Sequence, residues 1–126
     1  MATTDKGAIA IASLFCGDGL VAPFNLTNAR IGVGDSSAVF AASQTDLQAS
    51  TNKLRKALDS APLRTSNSID YTSTFTTAEA NYTWLEIALF NSGSGDYMAT
   101  RKVIALPLKT SSEQWTVTVT AVATAA

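Results

Sequence analysis

The chain has 126 residues, 46% of them hydrophobic, with 9 Lys and Arg against 10 Asp and Glu and a net charge of −1. That length suits one domain with a self-sufficient core, and the even, unclustered charge argues against steering toward nucleic acid or an acidic membrane surface. There is no histidine, which removes Ser-His and Cys-His nucleophile pairs and the commonest mixed zinc sites, and the single cysteine, Cys16, excludes an intrachain disulfide.

The first 28 residues read as an N-terminal arm or first element, ahead of a domain over residues 29–126. Thr3 to Cys16 fits either a short helix or a strand: Ile9 and Ile11 alternate, while the alanines and Leu14 also suit a helix. Its apolar run is short for a signal peptide, with Asp5 in the would-be basic region and Phe15 where a cleavage site needs a small residue, so no export signal is expected. Gly17-Asp18-Gly19 marks a turn. Beyond Pro23, Phe24 and Leu26 are spaced as anchors of an extended segment, and an arm reaching a neighbour would do so by strand addition or by burying Phe24. Phe24 and Leu26 are therefore the candidate interface residues.

Ala29 to Phe40 predicts a short strand and then a turn. Gly32-Val33-Gly34-Asp35 invites a phosphate-loop reading, but the third glycine of a dinucleotide fingerprint and the lysine of a P-loop are absent. The glycines are better explained by close backbone approach and a sharp turn, with Asp35, Ser36 or Ser37 accepting backbone N–H bonds. Thr45 to Asp59 predicts a helix: Thr45 and Gln48 form a capping-box pair, Leu47, Thr51, Leu54 and Leu58 share a face, and Lys53, Arg55 and Lys56 suit the C-terminal end.

Ile69 to Phe75 alternates apolar and polar residues, as does Trp115 to Val122, where Thr116, Thr118 and Thr120 form an expected threonine ladder. Tyr82 to Phe90 is apolar on both faces and predicts a covered strand. Asn91 to Asp96 predicts a turn, and Tyr97 to Leu108 the return strand of a hairpin, its Arg101, Lys102 and Pro107 suggesting partial exposure or an edge. The sum is five to seven strands and one helix: a mainly β protein, expected as a compact antiparallel β-sandwich, jelly-roll-like, with one short helix.

No catalytic, cofactor or metal constellation stands out. The three Glu and seven Asp residues show neither a glycosidase-like pairing nor EF-hand spacing. Glu86 interrupts an apolar strand, where a lone carboxylate is expensive to bury, so an ion pair with Arg30, Arg55 or Arg101 is expected. Tyr71, Tyr82, Trp84, Tyr97 and Trp115 include enough aromatics for a carbohydrate-binding face, though core burial suits most of them better.

Taken together, Asn28–Ser37 (NARIGVGDSS), Ala42–Leu47 (ASQTDL), Arg55–Asp59 (RKALD), Phe75, Glu79–Phe90 (EANYTWLEIALF) and Arg101–Val103 resemble a family of small tailed-bacteriophage virion proteins. Similar blocks occur in head decoration (cement) proteins and in the attachment regions of tail-collar fibres. The resemblance covers roughly residues 28 to 120. It implies a non-enzymatic structural protein without cofactor, made in the host bacterial cytoplasm and bound on the virion. The resemblance points to the virion rather than to a place on it; with no long repetitive shaft or receptor-binding tip following the last strand, the capsid surface, across junctions of the major capsid protein, is the expected place, with a tail, neck or fibre-attachment role as the alternative. A homo-oligomer, such as a trimer at three-fold positions, is the expected form, with neither nucleic acid nor membrane as partner.

Overall fold

The computed structural model describes residues 2–93 and 97–124. Its elements run β1 (Ala2–Thr3), α1 (Asp5–Cys16), β2 (Ala29–Gly34), β3 (Lys53–Ala57), β4 (Leu63–Thr65), β5 (Ser68–Phe75), β6 (Glu86–Asn91), β7 (Tyr97–Val103) and β8 (Trp115–Val122). The protein is mainly β, with one short helix and two antiparallel sheets packed into a sandwich. The larger sheet has the order β1-β7-β6-β2-β3 and the smaller β4-β5-β8. Two of the eight strands described are too short for periodicity to reveal, and a third, β3, lies within the segment expected as a helix, so the expected count was lower.

Strand register sorts the side chains. Ile31 lies opposite Leu89 and Val33 opposite Ile87, and these four meet Tyr71, Phe75 and Val119 of the smaller sheet in the principal core. Phe75, Trp84 and Trp115 form a chain of edge-to-face aromatic contacts, each with ring centroids 4.9 Å apart. The opposite face of the larger sheet carries Ala88, Phe90 and Met98, which close around Leu47 from the long connection between β2 and β3. The strand over Tyr82–Phe90 is thus covered on both sides as its composition predicts, although regular pairing begins only at Glu86. The β6–β7 hairpin is present, with Asn91 opposite Tyr97; Ser94 to Asp96 of its expected turn lie outside the described residues.

The helix expected over Thr45–Asp59 is not formed. Gln48 and Ala49 donate their backbone N–H groups to the Glu86 carboxylate at 2.7 and 2.8 Å, and Lys53–Ala57 instead pairs with β2 as an edge strand. A tertiary partner for those amides outweighs the local capping pattern. The one helix among the described residues is α1, in the segment whose sequence fitted helix and strand alike. Thr4 caps it by accepting from Gly7 N at 2.9 Å, Asp5 sits in the first turn, and Gly17, at φ 69°, ends it with its N–H on the Ser13 carbonyl. Its buried face is Gly7, Ala10 and Ser13. At Gly7 the approach to β7 is so close that any side chain would collide with the Ala99 carbonyl.

Candidate functional site

Glu86, the carboxylate singled out in sequence, is fully buried, and so is its partner Arg101, whose Nε donates to Glu86 Oε1 at 2.9 Å. Arg101 does not mark an exposed edge. Register sets it opposite Ala88 on the outer face of the larger sheet, beside Glu86. Its Nη1 donates to the Ala38 carbonyl at 2.9 Å, so the pair ties both ends of the Ala38–Ala49 connection to the sheet. Both carboxylate oxygens are taken, and the group clamps the connection to the sheet.

Gly32 and Gly34 belong to this clamp. A β-carbon at position 34 would sit 2.6 Å from Glu86 Oε2, and one at position 32 would sit 2.6 Å from the Phe90 ring. Both glycines lie within β2, where they admit side chains of the neighbouring β6; neither cradles a phosphate. Asp35 lies just past the strand and accepts from Asn52 Nδ2 at 2.8 Å, closing the base of the connection. Ser36 Oγ accepts from Ala38 N, as expected of that turn.

A second buried cation, Lys109, was not foreshadowed by any pattern. Its ammonium donates to the carbonyls of Thr76 and Glu79 and to Asn81 Oδ1 at 2.7–2.8 Å, fastening the loop that enters Trp84. Beside it, Lys56 donates to both oxygens of Glu79, which with the Thr76 N–H holds the Glu79 carboxyl down at about 2, below its ordinary 4.5. Burial pushes the Tyr82 phenol well above its ordinary range, the charges of Asp35 and Glu86 adding to this; its hydroxyl donates to the Val33 carbonyl. Among the described residues, no group of three or more His, Cys, Asp and Glu could hold a metal ion.

Exposed apolar residues occur at several places, Val39 and Leu63 among them, and on α1 they gather on one element. Because its small residues are buried, its large ones point away from the domain: Ile9, Ile11 and Leu14 are exposed, Ile11 at 64%, and Phe15 is 95% exposed. Beside the helix runs a groove of about 560 Å³. Ala10, Ile11 and Leu14 line one wall, Ile69, Tyr71 and Val119 the other, and Leu89 and Ala99 the floor, with Phe24 at one end. No charged side chain lines it. Phe24 is half-buried against the core, whereas Leu26 is 44% exposed on the turn after it, so the two candidate interface residues are not equivalent. Cys16, the last helical residue, is a free, exposed thiol. The α1 surface escaped the sequence reading because helix periodicity is scored on large apolar residues, which here mark the solvent side.

No family model, curated protein or solved structure matches the chain. No helix among the described residues is long and apolar enough to cross a membrane.

Proposed function

We propose that this is a non-enzymatic bacteriophage virion structural protein, most readily a decoration (cement) protein seated across junctions of the major capsid protein. The observation that carries the reading is the outward apolar face of α1, with Phe15 95% exposed beside an uncharged groove. An apolar patch of this kind suits a permanent partner better than open solvent. The resemblance of residues 28–120 to small virion proteins supplies the class of partner. On a symmetric shell, many copies of a modest contact add buried interface and stabilise the closed form by mass action.

Quantitative mass spectrometry of purified virions against the major capsid protein tests this. A copy number on the order of hundreds places the chain on the icosahedral shell, because only that symmetry repeats a site so often. Roughly a few to a few tens assigns it instead to tail or neck, and its absence from virions overturns the proposal.

A further inference from the structure

Among the described residues β8 pairs only with β5, which leaves its other edge open. The direction of its backbone groups follows from three hydrogen bonds. Ala123 N donates to the Asn67 carbonyl, so that pair lies on the bonded side, while the Thr72 carbonyl and Thr74 N both turn away from β8 to Asp59. Bonded and non-bonded pairs alternate along an antiparallel ladder, and Thr72 faces Thr118 while Thr74 faces Thr116. Thr116, Thr118, Thr120 and Val122 therefore present their N–H and C=O groups to the open edge.

Within β8 itself the usual protections are missing, although Lys102, Ile104 and Leu106 share a pocket with Thr118, Val119 and Thr120. Residues 115–122 contain no charge and no proline, and the β5–β8 register runs without a bulge. Directly beside its second half lies the uncharged groove, with Val119 and Ala121 on one wall and α1 on the other. From these two features we infer that an extended, uncharged segment of a partner protein, alternating apolar with small polar residues, adds as a strand to β8 and lays its apolar side chains in the groove facing α1. The outward backbone groups supply the pairing, and the groove supplies the side-chain preference. One added strand suits the site better than a second copy joined edge to edge, because α1 already lines the groove beside β8. The inference goes beyond the virion reading, since it specifies how a partner is held rather than where.

The probe is the synthetic peptide acetyl-TVTVTAV-amide, the sequence of residues 116–122, titrated into the full chain with backbone amides followed by NMR. The expected result is a saturable change at the amides of Thr116, Thr118, Thr120 and Val122. Thr118→Pro removes an outward N–H and no backbone bond to β5, giving up only the exposed side-chain contact with Thr72 Oγ1, so it should abolish binding while the fold is kept. Ile11→Glu places a charge on the exposed helix wall and should weaken binding about tenfold or more. Should the proline variant not fold, the same peptide N-methylated at alternate amides replaces it and should not bind the unaltered chain. No saturable change, equal binding by Thr118→Pro or by the N-methylated peptide, or binding indifferent to Ile11→Glu would overturn the inference. Self-association through β8 in sedimentation, abolished by Thr118→Pro, would overturn the choice of occupant.

Discussion

Glu86 Oε1 and Arg101 Nε meet 2.9 Å apart with neither side chain exposed to solvent. The pair is imperfect, because Arg101 Nη2 is buried without a hydrogen-bond partner. Its net contribution is consequently small, but either half alone is a buried, uncompensated charge. Arg101→Met is expected to destabilise by about 3–5 kcal/mol in urea unfolding. Adding Glu86→Leu should make the double variant less destabilised than the sum of the two singles. It will not return to the parent value, since Gln48 and Ala49 lose their acceptor. Additive single and double variants would show that the clamp is not coupled.

Gly34→Ala tests the same clamp through space alone. The added methyl would lie 2.6 Å from a carboxylate oxygen that Ala49 N and its neighbours hold in place, so neither side yields freely. A loss of about 2–3 kcal/mol is expected in the same unfolding experiment. An unchanged midpoint would mean that Glu86 moves more easily than its bonds imply.

Lys109→Met keeps the length of the side chain and removes the ammonium from three oxygen acceptors. Stability should drop by about 3 kcal/mol, since hydrogen bonds to a charged donor are individually strong and the Glu79 carbonyl and Asn81 Oδ1 lose that donor. Amide exchange should rise first between Thr76 and Tyr82, in the loop that the ammonium fastens. Uniform loosening of the whole domain would instead point to a role outside that loop.

Glu79 predicts the acid limb of the stability curve. Its folded pKa is depressed to about 2 from an ordinary 4.5, chiefly by Lys56 and then by the Thr76 N–H. Its stabilisation is therefore complete above the unfolded value and is lost as pH falls through the window between about 4.5 and about 2. Glu79→Gln should flatten that part of the curve and leave the pH dependence near neutrality unchanged. A curve of unchanged slope would remove Glu79 as the cause.

Phe15→Ser separates attachment from folding. The ring is 95% exposed, so thermal stability should stay within about 0.5 kcal/mol of the parent. Binding to undecorated shells, measured by co-sedimentation, should fall sharply. Retained binding would shift the contact away from α1.

Legibility in the sequence followed the kind of force at work. β8 was readable to its exact bounds, Trp115–Val122, because one face is apolar and the other threonine, and β5 came within one residue for the same reason. Cross-strand threonine pairs follow, with Thr72 and Thr118 oxygens 3.0 Å apart and those of Thr74 and Thr116 at 3.1 Å. Thr45–Asp59 misled because its capping pattern is local, whereas Glu86, 37 and 38 residues from the amides it accepts, decides the outcome. Helix α1 was ambiguous because its packing uses Gly7, Ala10 and Ser13, which carry no hydrophobic periodicity. For Glu86 three of the four arginines were candidates, and only strand register selects Arg101.

The contact between Trp84 and Trp115, ring centroids 4.9 Å apart, joins the segment entering β6 of one sheet to the first residue of β8 in the other. These are both of the tryptophans in the chain. Indole emission and the indole bands of the near-ultraviolet ellipticity therefore arise from a single junction between the layers, so the native protein carries its own optical gauge of sheet separation. Far-ultraviolet signal that outlasts the indole signal would reveal strands persisting after the layers have parted.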